Sequence, residues 1–176
     1  MTVTINGSAG VTTNSGAVYD SLQRGTALIA VTNFTTSADF TSIPSWVERI
    51  TIMFDGVSLS GTDSFLIQIG DSGGLETTGY NGGGARVGAS TLAAATFTTG
   101  FGFNNTTAAC LHSGNVVITN VTGNTWSASG TLGGSATEFA CILGGSKTLS
   151  AQLDRVSITR TGTNTFDAGT INIIYE

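Results

Sequence analysis

The fold is decided by the run DFTSIPSWVERITIMFDGVSLSGT, which extends from Asp39 to Thr62. Between Trp46 and Phe54 the even-numbered positions read Trp, Glu, Ile, Ile and Phe, while the odd-numbered positions mix polar and apolar residues. A period of two indicates a β-strand that has one face against a core. Asp55-Gly56 is a turn signal, which predicts that the strand ends there and forms a hairpin with Ser64 to Gly70.

Composition favours β-structure along the whole chain. Of 176 residues, 25 are glycine and one is proline, and only 10% are charged. Thr, Val, Ile and Phe suit a pleated surface, whereas Gly, Asn and Ser suit turns. About ten short strands at this spacing predict an all-β fold, an antiparallel β-sandwich of jelly-roll type. We expect residues 17–176 to form this single domain.

Two stretches inside the domain carry specific expectations. The glycine-dense residues from Gly79 to Gly88 predict a loop. In a predicted strand from Leu149 to Thr159, the apolar register changes at Asp154-Arg155. A register change of this kind predicts a bulge, or a bend from one sheet to another.

Residues 1–16 are rich in Gly, Ser, Thr and Asn, a composition that buries too little apolar surface to form an ordered core. We therefore predict that they form an amino-terminal attachment or exchange arm. Its candidate contacts are Val3, Ile5 and Val11, because a short strand that contains them would complete an exposed sheet edge on a neighbour.

Charge and hydropathy exclude several classes of partner. The net charge is −5 and the chain has six Lys and Arg residues, too few for the basic clusters that bind nucleic-acid phosphates. The first residues lack the basic and apolar regions of a signal peptide. No run approaches the roughly 20 apolar residues that span a bilayer, so we expect no membrane insertion. Cys110 and Cys141 are either buried free thiols or a disulfide, and the sequence leaves this open.

Residues Gly70 to Gly74 read GDSGG, which resembles the motif around the nucleophile of chymotrypsin-like serine proteases. That chemistry needs a histidine base beside the serine. His112 is the single histidine and follows Ser72, whereas those enzymes place histidine first. The motif therefore predicts a hairpin turn, and we expect no catalytic residue and no enzyme.

No metal or cofactor is expected. One histidine and two distant cysteines do not supply a tetrahedral metal site from one chain. The run from Gly144 to Thr148 lacks the residue order of a phosphate-binding loop.

Aromatic residues are the candidates for ligand contacts. Trp46 and Trp126 lie in alternating strands, which predicts that both pack in the core. Tyr80, Phe101 and Phe103 lie beside glycines, where exposed ring faces would suit a sugar. Asn81 follows Tyr80 at the start of the predicted glycine-rich loop and joins this candidate set for ligand or partner contacts. The alternative is that this loop is a plain connection.

Several of these segments resemble a known family. They are the run from Asp39 to Thr62, then Phe65 to Gly70, Leu75 to Tyr80, Gly145 to Leu149, Leu153 to Val156, and Phe166 to Glu176. Together they resemble carboxy-terminal β-domains of tail fibres and related virion proteins of tailed bacteriophages. The resemblance covers roughly half to two thirds of the chain, mainly Asp39 to Tyr80 and Thr125 to Glu176.

The resemblance implies a non-enzymatic structural protein of a phage virion, made in the host cytoplasm and exposed on the particle surface. It implies a tail-fibre or tail-tip head domain that presents loops to a host-surface glycan and contacts other virion proteins. We expect a homotrimer, because 40% hydrophobic residues accompany only 10% charged ones.

Three alternatives stay open. The chain starts at Met1 without shaft repeats, which favours a capsid decoration (cement) protein that stabilises the phage head. A cellular lectin-like module is the second. A polysaccharide hydrolase is the third, and it would need two carboxylates about 5–10 Å apart in a cleft.

Overall fold

The computed structural model describes residues 35–105, 107–108, 110–135 and 138–176, together with five short strands before residue 35. This part of the chain is all-β. The strands are β1 (Thr4–Asn6), β2 (Gly10–Thr12), β3 (Val18–Tyr19), β4 (Gln23–Arg24), β5 (Ile29–Ala30), β6 (Ala38–Phe40), β7 (Arg49–Leu59), β8 (Phe65–Asp71), β9 (Gly74–Leu75), β10 (Asn81–Gly88), β11 (Leu92–Phe97), β12 (Phe101–Phe103), β13 (His112–Thr122), β14 (Thr125–Gly134), β15 (Glu138–Thr148), β16 (Arg155–Arg160) and β17 (Phe166–Tyr175).

Most of these strands form two antiparallel sheets. The larger sheet has the order β11-β10-β15-β14-β13-β7-β17, and β4 and β5 both pair with β17 at its edge. The smaller sheet has the order β12-β8-β16-β6, and β9 pairs with β8. From β6 onward there are twelve strands, and they include short ones such as β9 and β12.

The two sheets pack face to face around one core. The ring of Phe65 in the smaller sheet lies 6.4 Å from the ring of Phe54 and 6.0 Å from that of Phe166, both in the larger sheet. Ile50, Ile52 and Phe54 are all buried, which confirms the predicted apolar face of this strand.

The predicted end of that strand is wrong. Asp55-Gly56 does not end β7, which continues to Leu59. Gly56 has a φ of +61°, and the pairing with β17 shifts register between Ala168 and Thr170. The glycine is therefore part of a β-bulge inside a paired strand and not a hairpin turn.

The predicted hairpin between this strand and residues 64–70 is also wrong. β7 pairs with β13 and β17, whereas β8 pairs with β9, β12 and β16. The chain between β7 and β8 crosses from the larger sheet to the smaller one. Both strands are hydrophobic on the side that faces the core, so alternation alone does not distinguish paired strands from strands in opposite sheets.

The predicted glycine-rich loop is a strand. β10 lies between β11 and β15 in the larger sheet. A Cβ at Gly84 would lie 2.3 Å from the carbonyl oxygen of Gly102, and a Cβ at Gly102 would lie 2.3 Å from the ring of Phe97. Glycine is required here because β12 lies directly against the backbone of β10.

Residues 149–154 connect the two sheets. β15 ends at Thr148 in the larger sheet, and β16 begins at Arg155 in the smaller one. The predicted bend between sheets near Asp154-Arg155 is confirmed, whereas the expectation that the strand starts at Leu149 is wrong.

The first three strands form a small sheet with the order β1-β2-β3. Ile5 is paired with Val11, and Val3 lies outside the described residues. β2 also pairs with β3, which begins at Val18, so this sheet extends past the predicted arm boundary at residue 16. The role of residues 1–16 as an arm stays a prediction.

Candidate interaction surface

The larger sheet has a surface that faces away from the core, and we call its central part the outer face. One row of paired residues across it consists of Ala94, Ala85, Ile142, Thr131 and Asn115. The next row consists of Thr96, Gly83, Gly144, Ser129 and Val117. All ten residues of the outer face are uncharged, and most of them are small.

Ile142 stands at the centre of the outer face, and 49% of its surface is exposed. An open groove of about 380 Å³ lies on one side, lined by residues that include Gly83, Ala85 and Ala94. A second groove of about 550 Å³ lies on the other side and is lined by residues that include Val117 and Thr131. The outer face is therefore a ridge between two shallow hollows, and no charged residue lines either hollow.

The apolar surface continues toward one end of the sheet. Val87 and Leu92 are paired across β10 and β11, and they are 45% and 76% exposed. Contiguous exposed apolar surface on a soluble protein is typical of a contact with another macromolecule. This arrangement of side chains suits burial against a second surface.

The GDSGG motif is the turn between β8 and β9, as predicted. A carboxylate oxygen of Asp71 accepts a hydrogen bond from the Gly73 amide at 2.7 Å, and the other accepts one from the Ser150 hydroxyl at 2.7 Å. The hydrogen bond from the Ser150 hydroxyl lowers the pKa of Asp71 most, and the bond from the Gly73 amide lowers it further. Asp71 thus orders its own turn and attaches it to the segment after β15.

Ser72 and His112 are far apart. Ser72 is exposed in the turn after the last residue of β8, whereas His112 is fully buried with its ring 5.2 Å from that of Phe65, the first residue of β8. A strand of this length separates its ends by about 20 Å. The serine and the histidine therefore do not form the pair that a serine protease needs.

A buried ion pair lies next to the same turn. Lys147 Nζ is 2.5 Å from a carboxylate oxygen of Glu76, and their side chains are only 7% and 23% exposed. Burial by itself raises the pKa of Glu76, but the Lys147 ammonium and the Ser150 amide outweigh it and leave the pKa below its usual value. No motif in the sequence indicated this pair, because its members are far apart in the chain.

The aromatic candidates for ligand contacts are buried, so the expectation of exposed ring faces is wrong. Tyr80 is 4% exposed, and Phe101 and Phe103 are fully buried. Tyr80 packs edge-to-face on Phe101 at 5.0 Å, and burial raises the pKa of its hydroxyl, which bonds to the backbone of Ile69. The bare backbone of the neighbouring glycines leaves room for these rings in the core. Asn81 is exposed at the start of β10, where it pairs with Ser146.

The two tryptophans differ in their exposure to solvent. Trp126 is 3% exposed, which confirms the predicted core packing. Trp46 is 42% exposed and lies 5.9 Å from the ring of Tyr175, so the same prediction is wrong for it. Trp46 precedes the first residue of β7, where the alternation of the strand no longer applies. Cys110 and Cys141 are both buried, and no disulfide joins them.

The part of the chain that the structure describes contains no cluster of three or more His, Cys, Asp or Glu side chains that could hold a metal ion. Among the same residues, no helix is long and apolar enough to cross a membrane. No protein-family model, no curated protein and no solved structure matches this chain.

Proposed function

We propose that this chain is a non-enzymatic structural protein on the surface of a tailed-bacteriophage particle. In this proposal it is the head domain of a tail fibre or tail tip, assembles as a homotrimer and presents its loops to a host-surface glycan. Its localisation is the virion, after synthesis in the host cytoplasm. The segments from Asp39 to Tyr80 and from Thr125 to Glu176 support the phage assignment through their resemblance to such domains.

The single observation that carries the proposal is the outer face. Around a threefold axis, the ridge at Ile142 of one copy would enter a hollow of the next copy, a head-to-tail contact that closes after three copies. The absence of charge at these residues removes the main cost of burying them. A free monomer would leave this surface in water.

The pairing pattern supports a jelly-roll topology, which we include in the proposal. β7 pairs with β17, β8 with β16 and β10 with β15, so that early strands pair with late strands in nested order. Nested antiparallel pairing results when one long hairpin is wound around a core, as in a jelly roll.

A capsid decoration protein is the second candidate, and the breadth of the outer face favours it. The two rows of the outer face belong to a single regular ladder, which suits a broad contact with a shell as well as a contact among three copies. Neither candidate requires a catalytic group.

Image reconstruction of a particle that carries the chain tests both candidates. We expect density for the chain at the tail, in groups of three copies. Density on capsid threefold or quasi-threefold positions would instead establish the decoration role and exclude the fibre role. If mass spectrometry of purified particles detects no peptide from the chain, both roles are wrong.

A further inference from the structure

A polar cavity of about 260 Å³ lies at one end of the sandwich. Three segments enclose it: the turn between β13 and β14, the residues that precede β7, and the connection from β15 to β16. Its lining includes Val47, Glu48, Asn120, Asn124, Trp126 and Gln152. This volume is just below the roughly 300–1,000 Å³ of pockets that enclose drug-sized ligands, so the cavity suits a ligand of about one ring.

The indole nitrogen of Trp126 is unsatisfied. The atom Nε1 is buried and has no hydrogen-bond partner among the described residues. A buried donor without an acceptor costs about 1–3 kcal/mol, and buried polar groups are nearly always bonded. Phenylalanine would fill an apolar site without this cost. An acceptor that binds from outside the chain would satisfy this donor.

Two further side chains of the lining are also without partners. The Glu48 carboxylate, which is exposed, and the half-buried Asn124 amide make no hydrogen bond or ion pair within the described part of the chain. Together with the indole they offer one N–H donor, one anionic acceptor and one amide that both donates and accepts. This set matches a ligand that carries several hydroxyl groups.

The remaining contacts hold the cavity in shape. The Asn120 amide donates to the Gly123 carbonyl at 2.8 Å, and the Asn120 backbone donates to the Glu48 carbonyl at 2.8 Å. The Gln152 amide donates to the Ser45 carbonyl, which joins the third segment to the second. These bonds fix the three segments relative to one another before any ligand arrives, so that little conformational entropy is lost on binding.

We propose that this cavity binds one neutral sugar ring of a host-surface glycan. Val47 and the Trp126 ring supply apolar wall for the C–H face of the sugar, and the three unpartnered groups supply its hydroxyl contacts. Glu48 and the net charge of −5 disfavour anionic sugars. The inference rests on the proposed function, since it names the site at which the glycan binds.

Single-tryptophan variants test the cavity directly. In Trp46→Phe, Trp126 is the single indole, and titration with methyl glucoside, methyl galactoside or N-acetylglucosamine should change its fluorescence. A ligand of this size should bind with a Kd on the order of 1–10 mM. In Trp126→Phe, Trp46 is the single indole and should report no change. If none of the three sugars changes Trp126 emission at about 100 mM, well above that Kd, the cavity is not a sugar site.

Two milder variants make the test independent of any folding defect in Trp126→Phe. In the Trp46→Phe background, Glu48→Gln and Asn124→Ala should each weaken sugar binding at least about fivefold, because each removes a hydrogen-bond partner of the ligand. Asp55→Asn, at an exposed carboxylate outside the lining, should leave affinity unchanged. Equal affinity in all variants would place the sugar elsewhere and overturn the inference.

The two proposals fail separately. If soluble host glycans block particle adsorption but the cavity variants adsorb normally, the receptor role stands and the cavity assignment is wrong. If the cavity binds sugar but the chain is absent from purified particles, the cavity assignment stands and the virion role is wrong.

Discussion

The two faces of the larger sheet are formed by the same strands and differ sharply. The inner face carries large apolar side chains such as Ile52, Ile118 and Leu132, all fully buried. The outer face opposite them has Ala, Gly, Ser and Thr around the half-exposed Ile142. Antiparallel sheets that face water on one side usually have polar residues there. The ten residues of the outer face include no charged one, and its centre is the apolar Ile142, which suggests that this face is covered by another surface.

Charge is present elsewhere on the same sheet. Arg49 and Glu176 form an ion pair at 2.9 Å at one end of the sheet, with side chains 50% and 45% exposed. That end is typical of a solvated surface. The contrast within a single sheet suggests that the uncharged region around Ile142 is a distinct patch, set apart from the margin that faces water.

The largest effect on stability is expected at Lys147, whose side chain is buried on the inner face. Glu76→Ala leaves the Lys147 ammonium buried without its carboxylate, so the free energy of unfolding should fall by about 3 kcal/mol. Urea denaturation measures this change. Replacement of both partners, Lys147→Met with Glu76→Leu, should restore most of the loss, because no buried charge remains.

A matched variant measures the effect of removing a carboxylate that is not paired with a buried cation. Glu48 is exposed, and Glu48→Ala should change the free energy of unfolding by no more than about 0.5 kcal/mol. If Glu76→Ala is as mild as Glu48→Ala, the buried ion pair does not stabilise the corner between β9 and β15.

Substitution of two adjacent glycines in β10 compares the inner and outer faces of the larger sheet at one point. Gly84→Ala places a Cβ 2.3 Å from the Gly102 carbonyl oxygen on the inner face and should destabilise the fold by about 1–3 kcal/mol. Gly83→Ala meets nothing closer than 3.6 Å on the outer face and should be within about 0.5 kcal/mol of the wild type. Thermal or urea unfolding distinguishes the two. Equal effects would mean that β12 does not lie against β10.

Acid should weaken the corner that holds the GDSGG turn. The folded chain lowers the pKa values of Asp71 and Glu76 relative to the unfolded chain, so the unfolded state binds more protons in mild acid. This stabilisation is complete well above the ordinary carboxyl pKa of about 4 and is lost as pH falls through the lower folded values. Urea midpoints measured from neutral pH down to about pH 3 should therefore decrease. In Asp71→Asn the decrease should be smaller, and an unchanged decrease would contradict a contribution from Asp71.

Local pattern predicted the strands and not their partners. The alternation around Ile50 and Ile52 correctly placed the inner face, because burial on one side is a property of the strand itself. The alternation did not show that β7 and β8 lie in opposite sheets, because the pattern of apolar residues in a strand is the same whichever strand it pairs with. For the same reason, Gly56 looks like a turn residue in the sequence. Whether it forms a bulge depends on its pairing with β17, which is distant in sequence.

Glycine was the other source of error. Gly74 has a φ of +140° in a true turn, whereas Gly84 is glycine because another strand lies against it. The two requirements look alike in a sequence. The sequence consequently predicted Tyr80 in a loop and an exposed ring at Phe101, whereas both side chains are in the core. The Trp126 cavity was not predicted, because its lining comes from three separate segments.

Light scattering on the purified chain tests the central claim most directly, because it reports whether the outer face is covered by further copies. We expect three times the subunit mass of 17.8 kDa for the wild type at micromolar concentration. Ile142→Asp places a charge at the centre of the outer face and should give the mass of one folded subunit. Val121→Asp, at an exposed apolar residue outside the outer face, should keep the trimer. A wild type with the mass of one subunit, or an Ile142→Asp variant that remains trimeric, would contradict the account.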